Sequence, residues 1–414
     1  MPRLLTPVAL GALPPGRALD LLQDALDGRA DPLLPVPDDA AAARRLSSLR
    51  PGTALQAGED DDADPTALVV ATSGSTGEPK GALLPANALH ASATATHDRL
   101  GGPGTWLLAL APHHVAGVQV LVRSLVAGTE PEALDLTHGF DIDAFAAATA
   151  SLRQRAAGRC YTALVPTQLV RLLDAGGPAR EALATFDAVL IGGAAASPSL
   201  LHRAGDAGVR VVTTYGMTET CGGCVYDGVP LDGVQVDVAD GGHPGSVGRI
   251  RLGGPVVARG YRLRPDAPQF ESSPGLRWFT TGDIGRFEGP RLTVLGRADD
   301  VIVTGGENVA PQAVEAIVSE VSGVAECLVV GVPDEQWGQR VVALIVASSG
   351  PTDAPALLVD VRQAVKGRLG APSAPHDVLL VGALPATTLG KPDRRSAARA
   401  AEQMLGRAPS PSSG

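Results

Sequence analysis

From residue 67 to about residue 213, short apolar runs alternate with helical stretches, and this alternation constrains the fold more than any other feature of the chain. Ala67–Ala71, Thr105–Leu110, Ala188–Ile191 and Val209–Thr213 read as buried strands. Helical patterns such as Thr167–Leu173 lie between them, and Ser197-Pro198 offers an N-cap followed by proline at the first helical position. Strands separated by helices imply an α/β fold with a largely parallel sheet and helices on both faces. Residues 1–66 differ in texture, being rich in Pro, Ala and Asp; one helix is expected there, from about Asp38 to Leu49, and an acidic loop, Glu59–Asp64.

From about Gly245 the pattern becomes β-rich, with strands predicted at Gly248–Leu252, Trp278–Thr281, Gly285–Phe287 and Leu292–Val294. Another compositional unit starts near Arg297. It carries a predicted helix from Pro311 to Val321 ended by Gly323, strands at Glu326–Val330 and Val341–Ala347, and a helix at Ala356–Leu369. The expected organisation is a large domain over residues 1–298, of mixed and parallel sheets plus a β-rich subdomain. A small mobile α+β domain over 299–414 follows. The Pro/Ser-rich end, Arg407–Gly414, is expected to be disordered.

Composition excludes several function classes. A net charge of −10 and only three Trp, four Tyr and six Phe in 414 residues argue against nucleic-acid binding, which needs a basic face and stacking platforms. The longest apolar stretches, such as Val341–Ala347, fall far short of the roughly 20 residues of a membrane helix. Pro7, Pro14 and Pro15 interrupt any signal-peptide core, and Cys160, Cys221, Cys224 and Cys327 are too few for a disulfide framework; a cytoplasmic protein is expected. Of the 34 basic residues only Lys80, Lys366 and Lys391 are lysines, so each raises the question of whether a compact ammonium is required.

The strand Ala67–Ala71 runs straight into Thr72-Ser73-Gly74-Ser75-Thr76-Gly77-Glu78-Pro79-Lys80-Gly81. Small hydroxylated and glycine residues let backbone N–H groups and hydroxyls converge on anionic oxygens, so the segment reads as a phosphate cradle. The plainer reading is a solvent loop. A Walker A loop is excluded, because Lys80 lies between Pro79 and Gly81 instead of between Gly and Ser/Thr.

This segment resembles the phosphate loop of the adenylate-forming superfamily of acyl- and aryl-CoA ligases, luciferases and peptide-synthetase adenylation domains. The superfamily's other motifs follow in order, over about residues 66–400. Gly192-Gly193-Ala194 resembles the segment lining the adenine site. In Tyr215-Gly216-Met217-Thr218-Glu219-Thr220 the resemblance implies that Tyr215 stacks on adenine, Thr218 contacts the α-phosphate and Glu219 helps hold Mg²⁺, a hard cation suited to oxygen ligands. Asp283, in Thr280-Thr281-Gly282-Asp283, matches the ribose-binding position; Arg297 matches a ribose or phosphate contact and Asp299 the hinge pivot. Gly305-Gly306-Glu307-Asn308 is similar to the small-domain loop of the thioester step, and Lys391 to the catalytic lysine of the first step. The implied substrates are ATP, a carboxylic acid and coenzyme A.

For the acid, Pro112-His113-His114-Val115-Ala116-Gly117 lacks the Asp that amino-acid-activating relatives carry, and His114 resembles an acyl-site position; His113 reads as a packed side chain. The segment Leu164–Leu173 and the run Thr220-Cys221-Gly222-Gly223-Cys224-Val225-Tyr226-Asp227-Gly228 are similar to those of o-succinylbenzoate–CoA ligases of menaquinone biosynthesis. Arg171 then either faces the second carboxylate of that diacid or is a surface helix residue. Gly222 and Gly223 would line a narrow acyl pocket, while a zinc or redox reading of the two cysteines lacks a second ligand pair. Only 71 residues precede the phosphate loop, about half of what most superfamily members have, so the pocket is either opened or closed by a partner subunit, as in a homodimer. Other readings are a ligase for another aromatic or short acyl acid, transfer to a carrier protein, or a non-catalytic adenylate sensor.

Overall fold

The computed structural model describes residues 2–72, 79–239, 246–273, 275–348, 354–385 and 393–406. The strand at its centre, Thr66–Thr72, carries the apolar run Ala67–Ala71 and is buried on both faces as far as Val70. Val69 packs with Leu5, Leu34, Leu49 and Leu83, whereas Leu68 and Val70 join the main core. It belongs to a five-stranded sheet ordered Thr6–Val8, Leu33–Pro35, Thr66–Thr72, Lys80–Pro85, Gly260–Tyr261. The first three strands are parallel and the last two pair antiparallel.

The N-terminal segment holds more structure than its composition suggests. A helix at Pro15–Leu26 was not expected; Ala18, Leu22, Ala25 and Leu26 form its buried stripe, and Pro15 opens its first turn. The helix expected over Asp38–Leu49 is shorter, Ala40–Arg44 capped by the Asp39 carboxylate, with a separate 3₁₀ turn at Ser47–Leu49.

The alternating region forms a seven-stranded sheet, ordered Val229–Pro230, Gly222–Tyr226, Val211–Met217, Ala188–Ile191, Arg159–Leu164, Gly104–Leu108, Glu132–Ala133. All but the first two strands run parallel. Trp106 and Leu108 face the core beneath helices Ala86–Leu100 and Val115–Ala127, while Leu107 and Ala109 face that of helices Ile142–Arg155 and Pro166–Ala175. Ser197 caps helix Pro198–Asp206 through Leu200 N, as expected.

A third sheet follows, Gln235–Ala239, Gly248–Gly253, Leu276–Glu288 and Phe270–Ser273, with Arg291–Arg297 also on Leu276–Glu288. The two strands expected at Trp278–Thr281 and Gly285–Phe287 are one 13-residue strand, bulged between Ile284 and Gly285. Gly285 permits that crossing, since a Cβ there would lie 2.7 Å from Thr293 O.

The last sheet is ordered Glu307–Val309, Ile302–Thr304, Gly338–Ala347, Val324–Asp334, with Asp377–Leu380 beside Gly338–Ala347. Val329, Val341, Ala343 and Ile345 pack beneath helices Pro311–Val318 and Ala354–Leu369; Leu328, Val330, Val342 and Leu344 pack beneath Arg394–Gly406. These clusters draw only on residues from Ile302 onward. The helix expected to reach Val321 ends at Val318. Arg407–Gly414 lies outside the described residues. Among the described residues no helix is long and apolar enough to cross a membrane.

Candidate active site

Thr72 ends one strand and Lys80 opens the next, and the two are register partners, so the intervening phosphate-loop segment joins an antiparallel pair. Ser73, Gly74, Ser75, Thr76 and Gly77 lie outside the described residues. The Lys80 ammonium sits 5.2 Å from the centroid of the Tyr261 ring.

Gly192 and Gly193 follow strand Ala188–Ile191, with Ala194 next in the same turn. A Cβ at Gly192 would lie 2.3 Å from Thr214 Oγ1, and Gly193 has φ +80°. Gly216 is held closer still, its would-be Cβ 2.1 Å from Gly222 O, which locks strand Val211–Met217 onto Gly222–Tyr226. Tyr215 Oη donates to Asp283 Oδ2 at 2.8 Å, and burial together with that carboxylate pushes the phenol well above its ordinary range. Arg297 is the register partner of Asp283; its guanidinium lies 3.7 Å from Asp283 Oδ1 and bonds Asp299 Oδ1 at 2.8 Å. Tyr215, Asp283, Arg297 and Asp299 are thus one connected chain, linking the residues expected at the adenine, ribose and hinge positions.

Thr218 and Glu219 sit in the one-turn helix Thr218–Thr220, where the Glu219 carboxyl is buried. Tyr261 Oη donates to Glu219 Oε1 at 2.5 Å, and Ala258 N donates to Glu219 O at 2.8 Å. Burial raises the Glu219 carboxyl, while the Tyr261 bond and the Lys80 and Arg297 charges oppose that shift. A buried carboxylate in this setting fits Mg²⁺, which takes one or two protein carboxylates and completes its shell with phosphate and water oxygens. Among the described residues no group of three or more His, Cys, Asp or Glu could form a protein-only cage.

Of the residues expected at the acyl site, His114 stands at the start of helix Val115–Ala127, its ring 4.1 Å from that of His113. Gly222 has φ +95°, and a Cβ there would lie 3.4 Å from Gln119 Cγ; one at Gly223 would lie 3.1 Å from Tyr226 Cε1. Behind these glycines is a polar pair that sequence reasoning missed. Gln119 Nε2 donates to Cys221 O at 2.7 Å, leaving Oε1 buried without a partner among the described residues. Arg123 is 3% exposed, lies 5.0 Å from the Trp106 ring, donates to Tyr226 Oη at 3.3 Å and has an Nε without a partner among the described residues. The signal was available: Arg123 is the one charged residue in the helix Val115–Ala127. Arg171, by contrast, is exposed on helix Pro166–Ala175, its guanidinium 5.6 Å from the Phe140 ring. The thiols of Cys221 and Cys224 are fully buried and raised by that burial, Cys224 to about 12, the opposite of a reactive pair.

Gly305 and Gly306, at φ +57° and +84°, form the two-residue turn of the hairpin between Ile302–Thr304 and Glu307–Val309, a geometry glycine favours. Glu307 and Asn308 are exposed beyond it, and Gly305 N donates to Trp337 O at 2.9 Å. Lys391 lies outside the described residues.

An antiparallel strand pair meeting at Thr72 and Lys80, the Tyr215–Asp283–Arg297 chain and the buried Glu219, followed by a separate small sheet, fit an adenylate-forming enzyme. The chain belongs to the AMP-binding enzyme family, which matches residues 19–262, and the AMP-binding enzyme C-terminal domain matches residues 313–391. It is 47% identical over 393 residues to a probable 2-succinylbenzoate–CoA ligase of Mycobacterium tuberculosis, covering 94% of this chain and 97% of that one. It is 31% identical to the 2-succinylbenzoate–CoA ligase of Enterococcus faecalis, covering 80% and 69%. Among solved structures, o-succinylbenzoate CoA synthetase from Bacillus subtilis in complex with the acyl-adenylate intermediate OSB-AMP superimposes with a TM-score of 0.70 at 25% identity, covering 95% and 82%.

Proposed function

We propose that this chain is an AMP-forming acid–CoA ligase that converts o-succinylbenzoate to its CoA thioester in menaquinone biosynthesis. The observation that carries the reading is identity of 47% to a probable 2-succinylbenzoate–CoA ligase along nearly the full length of both chains. Arg123 supports the diacid: a buried guanidinium behind the pocket glycines, without a carboxylate partner among the described residues, suits a substrate that brings a second carboxylate. Arg171, whose guanidinium lies 5.6 Å from the Phe140 ring, is the alternative contact.

In the first step the substrate carboxylate attacks the α-phosphorus of ATP, pyrophosphate leaves, and acyl-AMP forms. Two anions must approach each other, so catalysis is chiefly stabilisation of gathered negative charge. Thr218, Lys80 and Lys391 supply hydroxyl and ammonium donors, while Tyr215, Gly192, Gly193, Ala194 and Gly216 shape the adenine site and Asp283 accepts from the ribose hydroxyls. Mg²⁺ held through Glu219 would neutralise phosphate charge when bound. The boundary between the two domains is taken at residues 298/299. Rotation about Asp299 would withdraw Lys391 and bring Gly305, Gly306, Glu307 and Asn308 to the site for attack by the CoA thiol, with AMP as leaving group. A cytoplasmic location and a homodimer complete the reading.

The half-reactions separate cleanly in Lys391→Ala. It should lose adenylation by about 10²-fold or more, the scale of removing one charge-stabilising donor, yet convert supplied acyl-AMP to thioester at the parent rate. Equal loss of both half-reactions would remove Lys391 from its role. A non-catalytic sensor would bind ATP and turn over none of a panel of aromatic and short acyl acids.

A further inference from the structure

Tyr261 belongs to none of the motifs that point to the site, yet it holds the carboxylate on which the cation site depends. The Tyr261–Glu219 bond is short, at 2.5 Å, and enclosed, the two residues being 5% and 8% exposed. We propose that Tyr261 is a positioning residue for metal–nucleotide binding: its hydroxyl holds the Glu219 carboxylate in one orientation through Oε1 and leaves Oε2 for the cation that accompanies ATP. The inference rests on the reading of Glu219 as the carboxylate that holds that cation.

The chemistry of the donor supports it. A neutral hydroxyl satisfies one carboxylate oxygen without cancelling the charge that a cation needs. An ammonium in the same place would cancel it, and one is close at hand: Lys80 lies over the Tyr261 ring at 5.2 Å, making no ion pair with Glu219 among the described residues.

The phenol is also held rigidly, as a positioning group must be. Its ring meets Phe270 edge-on, with centroids 5.1 Å apart at 81°. Tyr261 pairs with Ala82 in the first sheet, and Arg262 N donates to Gly81 O at 2.7 Å. The fully buried Arg262 side chain anchors the strand from the other side, donating to Leu49 O at 2.9 Å, Glu59 Oε2 at 2.5 Å and Thr53 Oγ1 at 2.7 Å. The same strap supplies the Ala258 N–H that binds the Glu219 carbonyl, so both ends of Glu219 are fixed by residues 258–262.

Tyr261→Phe keeps the ring and deletes the bond. ATP and AMP binding would be titrated calorimetrically across Mg²⁺ concentrations, with the unfolding temperature of the nucleotide-free protein measured alongside. The Mg²⁺ concentration that half-maximally strengthens ATP binding should rise about tenfold, the scale of one hydrogen bond to a charged group. Mg²⁺-free AMP binding should not change, and the unfolding temperature should fall by no more than a few degrees, the scale of one buried hydrogen bond lost. Glu219→Gln should raise the Mg²⁺ requirement at least as far, and Tyr261→Phe in that background should add nothing. A Tyr261→Phe protein that fails to fold, or that loses AMP and Mg²⁺–ATP affinity alike, makes the phenol a structural residue and overturns the proposal. So does a Tyr261→Phe titration that overlays the parent's while Glu219→Gln shifts it. Parent-like Mg²⁺ dependence in Glu219→Gln would overturn the underlying reading of Glu219, and this inference with it.

Discussion

Glu219 shows how a residue kept for chemistry burdens the empty protein. Its carboxyl is raised by burial, so the charged form needed for a cation is the one the nucleotide-free fold disfavours. A folded-state pKa above the unfolded value means stability that is complete below the unfolded value and lost as pH rises through the folded one. Glu219→Gln stays neutral and can still accept the Tyr261 bond. Without nucleotide or Mg²⁺ it should therefore unfold a few degrees above the parent at about pH 7, the gap closing toward about pH 4. Thermal unfolding across that range checks this; a gap that widens on acidification would contradict it. At this scale sequence reasoning reached the motif residues and stopped there. Tyr261 bonds Glu219 across 42 positions and Arg123 bonds Tyr226 across 103, and neither pairing leaves a local pattern to read. The chemistry of a residue is legible alone, but the identity of its neighbour is decided by the sheet.

Among elements, the acidic loop Glu59–Asp64 is the part whose role was least visible. A run of acids in a Pro-rich segment reads as a solvated surface. In the fold it is a clasp for four arginines: Arg3 on Asp60, Arg259 on Asp61 and Asp64, Arg277 on Asp64, and Arg262 on Glu59. Three of these arginines lie about 200 positions further on, around the strand Gly260–Tyr261, so the loop ties the short N-terminal segment to the wall of the site. Glu59→Gln would leave the buried Arg262 guanidinium without its anion, a loss on the order of 3–5 kcal/mol. The first unfolding transition should drop accordingly; an unchanged midpoint in chemical denaturation would contradict the clasp. Strands made of continuous apolar runs were legible almost to the residue, as at Ala188–Ile191. Where prolines dominate, the reading failed at Pro15–Leu26, because a proline at the first turn starts a helix as readily as it interrupts one.

For the whole molecule, the α/β frame, the large N-terminal part and the small C-terminal part follow from strand–helix alternation and the change in texture near Arg297, and the resemblance carried the order of motifs. The buried clusters of the C-terminal sheet are its own, which suits a unit that turns as a body about Asp299. Arg297 bonds Asp299, the proposed pivot, while lying beside Asp283, the proposed ribose contact, so one guanidinium joins the two. The most direct measurement is AMP and pyrophosphate release from ATP and Mg²⁺ with o-succinylbenzoate, with and without CoA. The account predicts sustained turnover that requires CoA and yields one thioester per AMP. ATP binding without AMP formation from this diacid, in either condition, would contradict it.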